Sequence, residues 1–405
     1  MLKKLLITSL LFMVFSCGEK ETNTLELGIW RAELQLTDTE VLPFNFEVVA
    51  SESLKIFNGE EVIQVDEISY EQDSMVIKMP VFEGYIKAEL KEGKLDGKFI
   101  KKSLNRVVPF SAEFGKDFRF KNETKSAQVD VGGNWETVFS PDTPEDRYIA
   151  KGIFKQRDQK VTGTFRTTTG DYRFLEGIID GNTLKLSTFD GAHAFLFTAQ
   201  VTDSSMTGTF YSGNHWQEPF TAEKNEDYEL PDANTLTFLK DGYDSLEFNF
   251  PNTDGELVSI TDERFKDKVV IVQIMGSWCP NCLDESRYYS DFYNNNKNKD
   301  LEFVALAFEY AKIKEAAMNN LKRLKTQVGI NYPILLAQYG SSSKTEANDK
   351  LPMLNHILSY PTSIFIDKKA KVRKIHTGFN GPATKEKFEE FKSDFTKFID
   401  TLLAE

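Results

Sequence analysis

The chain has 405 residues, 40% of them hydrophobic, enough for two or three domains with sizeable cores. Its net charge of −13, with no basic tract, argues against nucleic acid as a partner. Three cysteines are too few for a disulfide-stapled scaffold, and 33 phenylalanines suit β-rich cores.

The N-terminus speaks to the compartment. Lys3 and Lys4 form a short basic region, and residues 5–15 form an apolar stretch too short to span a bilayer. It runs into Ser16-Cys17. This is similar to a bacterial lipoprotein signal, in which Cys17 becomes the lipidated first residue of the mature chain. Residues 1–16 are then the signal peptide and 17–24 a polar tether. The expectation is a protein of the cell envelope, held to a membrane by the lipid on Cys17, at a periplasmic or outer-membrane face. Disulfides persist there. An ordinary secretory signal gives the same side of the membrane.

From about residue 25 to 224, short strand-like runs alternate with Gly, Asp and Asn, for example 44–49, 74–79, 85–90, 184–188 and 194–201. That rhythm predicts an antiparallel sandwich or barrel. The rhythm is also repeated. Gly28-Ile29-Trp30 answers Gly133-Asn134-Trp135, and Phe82-Glu83-Gly84 answers Phe189-Asp190-Gly191. Leu95-Asp96-Gly97-Lys98-Phe99 answers Met206-Thr207-Gly208-Thr209-Phe210, and Pro109-Phe110-Ser111-Ala112-Glu113 answers Pro219-Phe220-Thr221-Ala222-Glu223. Four blocks in one order predict two similar β units, 25–120 and 130–225. His193, Tyr211, His215 and Trp216 are candidates for a ligand face, but a place in the β-core accounts for them more simply.

After a polar linker the pattern changes. Residues 246–250 and 258–260 read as short strands. Residues 269–275 are an almost unbroken apolar run, typical of a strand buried on both faces. A helix is expected over 283–293, a strand over 301–308, and a helix over 312–328 that stops at Gly329. Strands over 334–337, 363–366 and 372–376 and a closing helix over 385–403 complete an α/β domain, 235–405, with helices on both faces of its sheet. The stretch 338–356, rich in Ser and charge, reads as a surface loop or a flap beside the site.

Between the buried strand and the next helix stands Trp278-Cys279-Pro280-Asn281-Cys282. A cysteine that opens a helix meets unpaired amides and the positive dipole end, which favour a thiolate. The thiolate is the form that attacks a disulfide. Cys282, one turn on, is placed to resolve the mixed disulfide. Pro280 suits the first helical position, where its missing N–H is not needed. Trp278 offers a flat surface to an incoming chain. Zinc would need two more ligands, and no second cysteine pair or suitably spaced histidines supply them. No metal and no dissociable cofactor are expected; the electrons reside in the Cys279–Cys282 pair.

These pieces, with the strand 301–308 and Tyr360-Pro361-Thr362 ahead of the strand 363–366, resemble the thioredoxin fold and its TlpA/ResA-like branch of membrane-tethered thiol–disulfide oxidoreductases. The resemblance covers about two-fifths of the chain. It implies an enzyme, by family habit a reductase, that exchanges disulfides with protein clients and is restored by a membrane thiol donor. Cys279 and Cys282 would be its cysteines and Pro361 a cis proline facing them. Trp278, Pro280, Asn281, Tyr360 and Thr362 would form the client-binding surface. Thioredoxins carry a buried aspartate six residues before the first cysteine, where this chain has Gln273. The TlpA-like branch often has a glutamate after the next strand, and Glu309 matches it, so Glu309 is the acid expected to tune Cys282. Peroxiredoxins share the fold, but their P-x-x-x-T/S-x-x-C pattern meets Val272 and Gly276 here. A peroxiredoxin-like antioxidant protein is therefore a weaker alternative, as is a surface-ligand-binding lipoprotein led by its β units.

Overall fold

The structure, a computed structural model, describes residues 24–405 apart from 72–73, 122–125 and 297–299. The signal peptide and Cys17 lie outside the described residues.

Nine strands between Gly28 and Phe114 form a meander that curls back on itself. The first, Gly28–Gln35, pairs with its successor Val41–Ala50 and also with the last, Arg106–Phe114. Among the described residues the ring is broken only between Glu61–Val65 and Glu67–Glu71, which leaves one open seam. Strands such as Tyr85–Lys91 alternate buried and exposed side chains, so one face lines the core and the other meets solvent.

Residues 133–224 repeat the plan. Gly133–Phe139 pairs with Tyr148–Arg157 and with Trp216–Lys224. Here the ring closes, because Tyr148–Arg157 pairs with Lys160–Thr167 and that strand pairs with Leu175–Asp180. The short strand Gly170–Asp171 folds back on the end of Lys160–Thr167 and makes a hairpin. Matching residues make matching contacts. Trp30 Nε1 donates to Glu26 O at 2.9 Å and Trp135 Nε1 donates to Val131 O at 2.9 Å, with both indoles fully buried.

The third domain is built on Val269–Met275, buried along its whole length because it is the middle strand of five. Leu301–Phe308 pairs parallel on one side, followed by parallel Ile334–Gln338. Thr362–Ile366 pairs antiparallel on the other side, followed by Val372–Thr377. The helices Pro280–Asn295 and Glu386–Ala404 meet through Tyr288, Tyr289 and Phe292 around Phe395, at ring distances of 5.4, 5.2 and 5.0 Å. The stretch read as a loop or flap contains the helix Lys344–Lys350, capped by Ser343, whose hydroxyl accepts from Glu346 N at 3.3 Å. Seven residues are too few to show a helical apolar period.

Two buried arginines join the domains. Arg119, after the first barrel, donates to Phe57 O and to Asn58 Oδ1 at 3.2 Å in that barrel and to Ser187 Oγ at 2.9 Å in the second. Arg173 pairs with Glu61 of the first barrel, with Asp190 of its own barrel at 3.6 Å, and with Asp284 on the helix Pro280–Asn295.

Candidate active site

The turn after Val269–Met275 is tied down before the cysteines begin. Ser277 N and Ser277 Oγ both donate to Glu309 at 2.7 Å, and Trp278 Nε1 donates to Phe308 O at 2.9 Å. The end of Leu301–Phe308 therefore fixes where the next helix starts. Pro280 is its first residue and Cys279 its N-cap. Cys282 N donates to Cys279 Sγ at 3.2 Å, a donor aimed at the sulfur that carries charge when Cys279 ionises. On the other side Cys279 Sγ donates to Tyr360 O at 3.4 Å, and the Tyr360–Pro361 peptide is cis. Both cysteines are free thiols. Cys279 is 7% exposed and Cys282 0%. The Cys282 thiol is pushed well above its ordinary range, first by burial, then by the hydrogen bond and charge of Cys279.

Glu285, a residue the sequence reading passed over, lies one helical turn after Cys282 and is fully buried. It accepts from Gln273 Nε2 at 2.8 Å and from Ser363 Oγ at 2.9 Å, and the same Gln273 nitrogen lies 3.5 Å from Cys282 O. Burial pushes Glu285 up to about 7, and its charge is among those that raise Cys282. Burial likewise pushes Glu309 up to about 7. Both oxygens of Glu309, however, are committed to Ser277, so the structure places it under the turn. Gln273 stands where thioredoxins carry the aspartate, and its amide donates to Glu285 on the helix. The available signal was a glutamate three residues after Cys282, which a helix brings to the same side.

The other expected residues divide in two. Trp278, Cys279, Pro280, Asn281 and Tyr360 line one cavity of about 610 Å³. Trp278 and Tyr360 meet edge to face there, 5.5 Å apart. Pro361 and Thr362 lie behind it, fully buried, with Thr362 Oγ1 donating to Ser359 O at 2.9 Å. The opposite wall belongs to the second barrel: Tyr148, Tyr172, His193, Phe195 and the hairpin tip. Lys344, from the short helix, also lines it. Of the barrel's four candidate ligand residues, His193 faces this cavity and Tyr211, His215 and Trp216 do not.

A Redoxin family model matches residues 229–391. The thiol-disulfide oxidoreductase ResA of Bacillus thuringiensis subsp. konkukian (strain 97-27) is 31% identical over 148 residues, covering 36% of this chain and 75% of that protein. The chain belongs to the ResA-like thiol–disulfide oxidoreductases. ResA of Bacillus subtilis (strain 168) is 28% identical over 140 residues, 35% of this chain and 69% of that protein. A solved thiol-disulfide oxidoreductase from Bacteroides fragilis NCTC 9343 is 21% identical and covers 37% of this chain and 99% of its own, with a TM-score of 0.28. The ResA relatives and the Redoxin match make this ResA-like chain a thiol–disulfide oxidoreductase, with the matched residues in its α/β domain. The Redoxin match leaves both barrels outside it.

Proposed function

We propose that this ResA-like protein is a lipid-anchored, extracytoplasmic reductase that exchanges disulfides through Cys279 and Cys282. The Cys279 thiolate attacks one sulfur of a client disulfide, and the first client thiolate leaves. Cys282 gives up its proton and attacks Cys279 Sγ, which releases the second client thiol. Two electrons pass to the client and the Cys279–Cys282 disulfide stays behind, to be reduced again by a membrane thiol donor. Glu285, poised near neutrality, is the acceptor we assign to the Cys282 proton. Glu309 holds the turn, Trp278 and Tyr360 form an aromatic lip for the client, Pro280 and Asn281 shape the start of the helix, and Pro361 and Thr362 support the facing loop. The lipid on Cys17 holds the molecule at the membrane.

The observation that carries this reading is the contact from Cys282 N to Cys279 Sγ at a helix start, with one sulfur at the cavity and the other sealed behind it. Cys279→Ser should abolish reduction of a model disulfide, and Cys282→Ser should hold clients as mixed disulfides on Cys279. A Cys279→Ser protein that works at the wild-type rate would sink the assignment. Palmitate labelling that persists in Cys17→Ala would remove the anchor from it.

A further inference from the structure

Cys279 lies between the start of a helix and the Tyr360–Pro361 loop, so whatever reaches it passes between them. The hairpin tip of the second barrel is bonded to both. Asn281 Nδ2 donates to Asp171 O at 3.0 Å, and Ser359 Oγ donates to Thr169 O at 2.8 Å. The tip is also wedged from behind. Gly381 N donates to Asp171 Oδ2 at 2.6 Å, and a Cβ on Gly378 would come within 2.8 Å of the Thr169 carbonyl carbon. A Cβ on Gly170 would stand 2.1 Å from Asn281 Nδ2. Barrel backbone thus lies directly against both flanks of the redox site.

The room left above Cys279 is the cavity of about 610 Å³. That is the size of a small-molecule pocket, roughly 300–1,000 Å³, and not of a protein-docking face. Its walls carry rings from both sides, Tyr148, Tyr172 and Phe195 facing Trp278 and Tyr360. Among its residues, Asn281 Oδ1 and Tyr360 Oη are buried polar atoms without a hydrogen-bond partner, whereas His193 Nδ1 lies 3.3 Å from Asp190. Such atoms favour a polar ligand that can pair with them over an empty site.

We propose that the second barrel is a size filter on the redox site, and that the disulfide this enzyme accepts is a low-molecular-weight one, of the size of a short cysteine peptide. This narrows the protein client implied by the resemblance, and it rests on the exchange chemistry proposed above. The reduced enzyme and the small disulfide give the enzyme disulfide and two small thiols. Two electrons leave the cysteine pair, and its two protons end on the two released thiolates.

The full chain, reduced with dithiothreitol and desalted, is offered oxidised glutathione or insulin in separate reactions, and thiol release is followed. The expected kcat/KM for the glutathione disulfide exceeds that for insulin by about tenfold or more. Gly170→Ala, whose new methyl group pushes the tip off Asn281, should raise the insulin rate several-fold relative to the small-disulfide rate of the same variant. A second measurement needs no variant: iodoacetamide should modify reduced Cys279, read by peptide mass, about tenfold faster than a polyethylene-glycol maleimide of several kilodaltons, after correction for their rates on the denatured chain. Insulin reduced as fast as the small disulfide, or equal corrected alkylation rates, overturns the filter and leaves the exchange chemistry standing. No reduction of either disulfide overturns both.

Discussion

The bond from Gln273 Nε2 to Glu285 puts a carboxylate beside the inner cysteine in a strand that lacks one of its own. Burial keeps Glu285 protonated up to about pH 7, against an ordinary value of 4.5. Across that window the folded chain holds a proton that the unfolded chain has lost. Stability is therefore full below the lower value, falls as pH rises toward 7, and levels off above it. Glu309 acts in the same direction. Each contributes at most about 3 kcal/mol. Glu285→Gln should bring the denaturant midpoints measured at acid and mildly alkaline pH closer together than in the wild type; an unchanged gap would refute the assignment. The same variant should accumulate mixed disulfide, because the slowed step is the one that Cys282 performs. Lys344 supplies a second test at this scale. Burial lowers its hold on its proton, while charge on Cys279 works the other way. Lys344→Met should slow iodoacetamide modification of Cys279 at neutral pH by about threefold, and an unaltered rate would separate the two groups.

At the level of elements, the turn held by Glu309 is the part of the site most sensitive to truncation. Glu309→Ala leaves Ser277 N and Ser277 Oγ buried without their acceptor, so thermal unfolding should register a loss of about 1–3 kcal/mol. Glu309→Gln, which keeps an acceptor, should lose less. Legibility in the sequence followed the same logic of local pattern. The strand at 269–275 and the helix opened by Cys279 were readable because an apolar run and a Cys-Pro N-terminus are local signals. The duplicated Gly-x-Trp blocks were readable for the same reason, and Trp30 and Trp135 make the same contact in each unit. The meeting of first and last strands in each unit was not, since Gly28–Gln35 pairs with Arg106–Phe114 across a separation that leaves no periodic trace. Glu285 was not legible because the family positions for an acid lie ahead of the cysteines and past the next strand, and not along the helix. The meeting of Asp171 with Asn281 depends on how two domains pack, and neither residue advertises the other.

In the whole molecule, Arg173 is the point where three domains share one charge. Glu61, Asp190 and Asp284 come from the first barrel, the second barrel and the redox helix. Arg173→Met would remove the cation that these carboxylates share, leaving Asp284 to Arg287 and Asp190 to His193, a loss of up to about 3–5 kcal/mol. Calorimetry should then resolve the redox domain and the barrels as separate transitions where the wild type melts as one. A single transition in the variant would show that apolar packing alone holds the domains together.

The seam in the first ring is not idle edge. Glu61, on one lip, receives Arg173, and Glu67, on the other, receives Arg323 at 2.5 Å and Gln327 at 3.1 Å. A closed ring satisfies its own backbone; an open one leaves a margin for neighbours to grasp. The two similar units accordingly play different parts, the closed one as gatekeeper of the cysteines and the open one as bracket for its sibling and the redox domain. They are no longer interchangeable: a chain carrying the second unit twice would fold both rings and still have nothing to hold Arg323.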